Sequence, residues 1–302
     1  LFETTRWDQV SSPDPSYEIH ENAPHPLEPW FDVFRGERDG FRERAASGPV
    51  RTRAVLTMVR DEALFLPIWL RYYGRFFPPE DIYVIDHDSL DGSTSTGGFN
   101  RIPVHNPEFD DVWRKQAVEE QHRLLLERYD TVLFVDVDEF VIPRDSARTL
   151  DQYMDRFDEP WVNALGYEVV HLPDREPPLD PDRPILGQRG YWFASAAYNK
   201  VVLATEPISW TPGFHRREDS AFRVEPDLLL VHLHRVDYER CVTRHREWTR
   251  RKWSERQVES GWGSHYTISE AADFDRWYFT DSAIENQPPL IEEIPGGLRD
   301  AF

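Results

Sequence analysis

Two aspartates that follow an apolar segment are the residues with the clearest chemical potential in this chain. Asp136 and Asp138 lie in VLFVDVDEF, and their spacing places both carboxylates on one side of an extended strand. Hard carboxylate oxygens suit Mg²⁺ or Mn²⁺, which can bridge a diphosphate and neutralise charge that develops on it. The spacing therefore predicts a divalent-cation site at Asp136 and Asp138.

Acidic residues also follow two earlier apolar segments. Asp61 comes just after AVLTMV, and Asp86 ends DIYVID. Ligands of open α/β sheets bind outside the carboxyl ends of the strands, so we expect Asp61, Asp86 and Asp136 to converge on one site. Each of them taken singly could instead cap the next helix or turn.

The order of apolar and amphipathic segments predicts an α/β fold. A strand from Arg53 is followed by a helix over 61–73, a strand over 81–86, a helix over 111–129 and the nearly continuous strand TVLFVDVDEFVIP. That alternation is typical of a parallel sheet flanked by helices. Later apolar segments predict an added mixed or antiparallel edge, and a helix is expected over about 237–260.

The distribution of proline and charge predicts one catalytic domain over 51–260 with an extension at each end. Residues 1–50 are rich in proline and charge and show no sustained periodicity, which favours an extended arm or irregular subdomain. The C-terminal extension spans 261–302, and its tail, with EEIPGGLRDAF, is expected to be loosely ordered.

The charge balance narrows the classes of partner. The formal net charge is -20, and a negative surface repels nucleic acid, so nucleic acid is not expected as a partner. An anionic substrate would need a metal ion and arginines to offset that field locally. A single cysteine, Cys241, allows no intramolecular disulfide and fits a cytoplasmic location. The sequence also has no apolar run of the roughly 20 residues that an integral membrane segment needs.

Taken together, these segments resemble family 2-like glycosyltransferases, especially the branch related to glycosyltransferase family 92. MVRDEALFLPIWLRYYGRFFPPEDIYVIDHDSLDGS resembles the opening of that branch, with its Asp-Glu-Ala motif and a second strand ending in Asp-x-Asp-Ser-x-Asp-Gly. VDVDEFVIP then resembles the branch's Asp-x-Asp-Glu-Phe strand, and the similarity covers about 53–248.

That resemblance implies a fold and a reaction. The implied fold is GT-A, the Rossmann-like α/β fold of nucleotide-diphospho-sugar transferases, with a mixed sheet flanked by helices. The implied donor is a nucleoside-diphosphate sugar, such as a UDP- or GDP-sugar, bound with Mn²⁺ or Mg²⁺. The implied acceptor is a hydroxyl of a glycan or glycosylated molecule, and transfer is expected to invert the anomeric carbon.

The resemblance also assigns roles to individual residues. The donor-binding residues that it implies are Arg60, Asp61 and Glu62 at the nucleoside, Asp86 and Asp88 at the base or ribose, and Lys115, Asp136 and Lys200 near the phosphates. LLLVHLHR places His232 and His234 on one face of a strand. Of these two, His234 is preferred as the histidine that completes the metal shell with Asp136 and Asp138. A solvated helix lysine is the alternative for Lys115.

An inverting transfer needs a group that takes the proton of the acceptor hydroxyl. Asp219 and Glu218 are the candidate carboxylates, and His215, in a Gly-x-His that resembles the family's, is expected close to the acceptor. A charged loop tip is the alternative for Glu218 and Asp219.

Two functions outside the transferases also fit parts of the sequence. A metal-dependent phosphohydrolase can use the same Asp-x-Asp strand, although the Gly-Asp motif expected downstream in the haloacid-dehalogenase type does not occur. A non-catalytic sugar-nucleotide binding module is the second alternative. The helix CVTRHREWTRRKWSERQ, basic and aromatic in an acidic protein, could cover the donor diphosphate or stack on a sugar, and a solvated amphipathic helix is the alternative.

Overall fold

The computed structural model of the chain describes residues 17–21, 25–32, 51–268, 270–280 and 288–302. The arm that the sequence predicts over 1–50 lies largely outside these residues. Among the described residues, no helix combines the length and the apolar character needed to cross a bilayer.

The described residues form a mixed sheet with helices packed against it. The strands are β1 (Ile19–His20), β2 (Arg53–Val59), β3 (Ile82–His87), β4 (Asn100–Val104), β5 (Thr131–Phe134), β6 (Glu139–Pro143), β7 (Trp161–Val170), β8 (Tyr191–Ala194), β9 (Val201–Ala204), β10 (Val224–Arg235) and β11 (Ile291–Glu293). The helices are α1 (Phe65–Tyr73), α2 (Asp111–Leu126), α3 (Leu150–Met154), α4 (Tyr238–Thr249), α5 (Glu255–Ser260) and α6 (Ala271–Tyr278).

The strand order confirms the predicted α/β architecture with a mixed sheet. The main path runs β4, β3, β2, β5, β9, β7, β8, β11, β1. The first four strands on this path are parallel, and β9 then pairs antiparallel with both β5 and β7. Off the main path, β10 pairs parallel with β7 and antiparallel with β6.

The long strand predicted over TVLFVDVDEFVIP is wrong, because the segment divides into β5 and β6. Residues 135–138 leave the strand between them and include a turn. The Glu139 carboxylate accepts the Asp136 N–H at 3.0 Å, and the Glu139 N–H donates to the Asp136 carbonyl at 3.0 Å. These local bonds replace strand pairing, so Asp136 and Asp138 lie in a loop and turn after β5.

Three predicted helices have different bounds in the structure. The first begins at Phe65, because Asp61 has a positive φ of 56° and its carboxylate accepts the Leu90 N–H at 2.7 Å. The helix predicted over 237–260 divides into α4 and α5, and the second part starts where Ser254 accepts the Gln257 N–H at 3.1 Å. The helix predicted over 111–129 is confirmed as α2 but ends at Leu126.

The described part of the C-terminal extension packs on the core, so the expectation of loose order is wrong for residues 288–302. Strand β11 pairs with β1 and β8, and the Phe302 ring stacks on Phe140 with centroids 4.4 Å apart. The end of the tail therefore packs against β6 and α1. Phe302 also contacts Tyr72 edge-on at 5.2 Å.

Gly166 of β7 lies directly against a 3-10 turn, Ala196–Tyr198, which contributes to the cavity described below. A Cβ at Gly166 would stand 2.5 Å from the Tyr198 Cβ and 2.7 Å from its carbonyl oxygen. Because backbone must move to relieve that clash, we expect Gly166→Ala to lower the free energy of unfolding by about 1–3 kcal/mol, measured by urea denaturation. Gly97→Ala is the control, since its new Cβ would meet no atom within 4 Å. Equal losses in the two variants would contradict this packing.

Candidate active site

A cavity of about 470 Å³ lies at the carboxyl ends of β2, β3 and β5. Its wall includes Arg60 after β2, His87 at the end of β3, and Asp136 and Asp138 after β5. This is the edge of an α/β sheet at which ligands are expected to bind. The sequence therefore predicted the edge of the sheet at which the cavity lies, but not all of the residues that line it.

Asp136 is paired with Lys200, which precedes β9. The Lys200 Nζ lies 2.8 Å from the Asp136 Oδ2 and 2.5 Å from the Glu139 Oε1. Burial alone would raise the pKa of Asp136, but Lys200 and Arg114 outweigh it and hold that pKa below its ordinary value. For Glu139, burial prevails over Lys200 and raises the pKa. Lys200 thus fixes two neighbouring carboxyl groups in place.

Asp138 is paired with Arg244 of α4. The guanidinium donates to the Asp138 carboxylate through one nitrogen and lies 2.8 Å from the Glu62 Oε1 through the other. Burial opposes ionisation of Asp138, yet Arg244 and then His232 outweigh burial, so the pKa of Asp138 is well below its usual range. A single buried arginine thereby bridges the segment after β2 and the turn after β5.

His232 is oriented toward Asp138 by a buried glutamate. The His232 Nδ1 lies 2.6 Å from the Glu168 Oε2, and the His232 Nε2 lies 3.8 Å from the Asp138 Oδ2. Burial lowers the pKa of His232, but Glu168 and Asp138 together raise it above its ordinary value. A carboxylate bonded to one ring nitrogen, with the other nitrogen facing a second carboxylate, is the arrangement that metal-binding histidines use.

The donor set fits a divalent cation. Asp138, His232 and His234 each offer one donor atom, and these atoms lie within 4.8 Å of one another. One carboxylate and imidazole nitrogens suit Mn²⁺ better than Mg²⁺, because Mg²⁺ prefers oxygen ligands throughout. Asp136 is not part of this group, and the His234 Nε2 lies 3.1 Å from the His245 Nε2. Of the two strand histidines, His232 is therefore the one directed at Asp138.

Arginines line the side of the cavity near β2 and α2. Arg60, Arg114 and Arg251 all reach its wall. The Arg251 guanidinium stacks over the Trp248 ring at 4.1 Å and donates to the Arg60 carbonyl at 2.8 Å. Arg114 pairs with Asp111 at 2.8 Å and lies 3.9 Å from Asp136. These fixed guanidinium groups suit an anionic ligand such as a phosphate.

Three acidic residues predicted at the donor have partners elsewhere, and none of them lines this cavity. Asp86 accepts bonds from Ser89, Thr94 and Arg101; burial opposes these bonds, but together they lower its pKa. Asp88 has a positive φ of 56° and is bonded to His105 and Asn106. Asp61 fixes the same loop through Leu90. Of Asp61, Asp86 and Asp136, only Asp136 reaches the cavity, and the expected convergence of the three is wrong.

The predicted catalytic groups separate in the same way. Glu218 is bonded to Lys115, and neither side chain lines the cavity. Asp219 pairs with Arg217 at 2.8 Å, and its side chain is 55% exposed. His215 does line the cavity, and its Nδ1 lies 2.8 Å from the Ala197 carbonyl. That carbonyl can only accept, so Nδ1 carries the hydrogen and Nε2 of the neutral ring is an acceptor.

Several residues that line or support the cavity were missed by reasoning from sequence. Glu168 is a charged residue inside an apolar strand, which was the available signal, but its role depends on the register that pairs it with His232. Arg114 and Lys115 are neighbours in α2, and the sequence alone does not show which of the two side chains the helix directs into the cavity. Trp262 and Tyr266, from the predicted C-terminal extension, also line the cavity.

Comparison with known proteins relates the segment that carries the aspartates to a family. Residues 86–184 match the model of glycosyltransferase family 92, while no curated protein matches the chain. Among solved structures, the chain is similar to one described as a mannose-1-phosphate geranyltransferase from Thermus thermophilus, with 14% identity and a TM-score of 0.29. That likeness covers 50% of this chain and 50% of the other, so it spans half the length of each. The matched segment contains Asp136 and Asp138, which relates this part of the chain to glycosyltransferase family 92.

Proposed function

We propose that the chain is a divalent-cation-dependent glycosyltransferase of the GT-A type. It moves a sugar from a nucleoside-diphosphate donor to a hydroxyl of a glycan or glycosylated acceptor, with inversion at the anomeric carbon. The observation that carries the proposal is the Glu168–His232–Asp138 arrangement opposite the cavity's arginines. A cation site beside fixed guanidinium groups is what a sugar diphosphate requires.

Asp138 and His232 would hold the cation, with Asp136 beside them. When bound, the ion supplies positive charge that stabilises the departing nucleoside diphosphate. Arg60, Arg114 and Arg251 bind the phosphate oxygens and offset, inside the cavity, the repulsion expected from a net charge of -20. Lys200 keeps Asp136 and Glu139 ionically paired, so that the loop after β5 stays in position.

His215 is the group best placed to take the proton of the acceptor hydroxyl. Its Nδ1 is fixed on the Ala197 carbonyl, which leaves Nε2 free to accept. Glu218 and Asp219 lie outside the cavity and have their own cationic partners. The acceptor therefore binds on the side of the cavity formed by Ala196–Tyr198 and Pro212–Phe214.

The cation site predicts a defect in donor binding for Asp138→Asn. Wild-type protein with Mn²⁺ and a saturating UDP- or GDP-sugar should gain about 2.7 kcal/mol of stability at a ligand concentration of about 100 times Kd, measured as a thermal shift. Asp138→Asn should lose most of that gain, while Asp219→Asn, exposed and paired with Arg217, should keep it. An unchanged shift in Asp138→Asn would remove the assigned role. Release of inorganic phosphate from simple esters would favour the phosphohydrolase instead.

The choice of base predicts which variant loses turnover. We expect His215→Ala to lower kcat by about 10²- to 10⁴-fold, the usual contribution of general acid–base catalysis. Glu218→Gln and Asp219→Asn should remain close to wild type in the same steady-state transfer assay. A large loss of kcat in Asp219→Asn with an active His215→Ala would reverse this assignment.

Arg244 occupies the carboxylate that the cation needs, so it should weaken cation binding in the absence of donor. We expect Arg244→Gln to bind Mn²⁺ at least about tenfold more tightly by calorimetry, a change of about 1.4 kcal/mol. Two unit charges about 4 Å apart near a protein surface interact by about 4 kcal/mol, so losing the competing guanidinium can supply that gain. Arg251→Gln, which removes a guanidinium of the same cavity that does not contact Asp138, is the control. Equal Mn²⁺ affinities in wild type and Arg244→Gln would show that Arg244 and the cation do not compete.

A further inference from the structure

Three soft or borderline donor groups meet at the cavity wall, where β10 packs on α4. They are His234 of β10 and Cys241 and His245 of α4, here called the His-Cys-His cluster. Cys241 and His245 are four residues apart, so they lie on one face of the helix. One donor atom from each residue lies within 4.8 Å of the other two. The three residues are 4%, 2% and 0% exposed.

The spacing of the two imidazoles is that of two ligands of one ion. The His234 Nε2 and His245 Nε2 are 3.1 Å apart. Two nitrogens bound to one tetrahedral zinc at about 2.0–2.1 Å would be roughly 3.3 Å apart. The same contact can also be a hydrogen bond between two neutral rings, one with its hydrogen on Nε2 and the other with its hydrogen on Nδ1. The thiol of Cys241 beside the rings offers a third metal ligand, which a hydrogen-bonded pair would not need.

The donor chemistry selects zinc over the cation of the proposed transfer reaction. A thiolate and two imidazoles are soft or borderline ligands, which bind Zn²⁺ and discriminate against Mn²⁺ and Mg²⁺. Aromatic rings enclose the cluster, since Trp277 lies 5.3 Å from His234 and 4.5 Å from His245, and Tyr266 lies 5.5 Å from each.

His234 belongs to two possible metal groups, and the geometry separates them. It could act with Asp138 and His232 or with Cys241 and His245. Its Nε2 faces His245, whereas the His232 Nε2 faces Asp138 at 3.8 Å. The positive charge of Arg244 nearby is already balanced by Glu62 and Asp138. His232 is thus left for the donor cation, and His234 is available to the cluster.

We propose that His234, Cys241 and His245 supply three of the four ligands of a Zn²⁺ ion, separate from the cation held by Asp138 and His232. A water molecule from the cavity, which His234 lines, would take the fourth position. The ion would tie β10 to α4. Helix α4 carries Arg244 and Trp248 into the cavity wall, and Arg251 follows it directly. Zinc at the cluster would therefore fix the helix that supplies these groups, without itself contacting the donor.

The test is the metal content and cobalt spectrum of the whole chain. Protein purified from zinc-supplemented medium and passed through gel filtration with excess Mn²⁺ should keep stoichiometric zinc by mass spectrometry. Cys241→Ser should lose it, and Asp138→Asn, which removes a ligand of the proposed donor cation and none of the cluster, should keep it. Replacement of zinc by Co²⁺ in wild-type protein should give a thiolate-to-cobalt charge-transfer band, which Cys241→Ser lacks.

Each outcome decides the proposal. Wild-type protein without zinc, or a cobalt spectrum without the thiolate band, overturns it and leaves the cluster as a hydrogen-bonded histidine pair, even if Cys241→Ser fails to fold. Zinc that disappears in Asp138→Asn but persists in Cys241→Ser also overturns it. Neither readout uses a sugar nucleotide, so failure here is distinguishable from failure of the proposed transferase activity.

Discussion

Buried charges must be paired, and the pairing of the carboxylates beside β5 determines how the cavity is organised. Lys200 holds Asp136 and Glu139, while Arg244 holds Asp138 and Glu62. Removing one partner of such a pair costs about 3–5 kcal/mol, because the other charge is left buried without compensation. The loop after β5, the segment after β2 and helix α4 are therefore fixed relative to one another by the same network that forms the site.

The partners of these carboxylates come from distant parts of the chain. The segment that matches glycosyltransferase family 92 ends at residue 184 and contains the aspartates. Lys200, His232 and Arg244 all follow it, just before β9, on β10 and on α4. The second half of the sheet thus completes a site whose acidic motif lies in the first half. An isolated 86–184 segment would carry the carboxylates and Arg114 but would lack Lys200, His232 and Arg244.

Periodicity predicted the elements well where one face or both faces of a segment are simply apolar. Strands β2 and β3 and helix α2 follow from that pattern with small errors at their ends. It failed at residues 135–138, because the bonds between Glu139 and Asp136 are local and leave no trace in hydrophobic spacing. It also could not identify Glu168 as a partner of His232, since that pair exists only through the register of β7 with β10. Asp61, Asp86 and Asp88 looked like ligands but instead stabilise one loop, a role that requires knowing their backbone conformation.

The distribution of positive charge explains how so acidic a chain could accept the anionic donor proposed above. At a net charge of -20, the mean surface field opposes a phosphate, so any attraction must be local. Arg60, Arg114 and Arg251 concentrate positive charge at the cavity. Arg114 also stacks on Phe109 at 5.0 Å, and Arg251 stacks on Trp248 at 4.1 Å. Stacking fixes a guanidinium by its face and leaves its edge N–H groups directed outward. Because those edges are held before a ligand arrives, little conformational entropy is lost on binding, and the surrounding negative surface disfavours anions everywhere else.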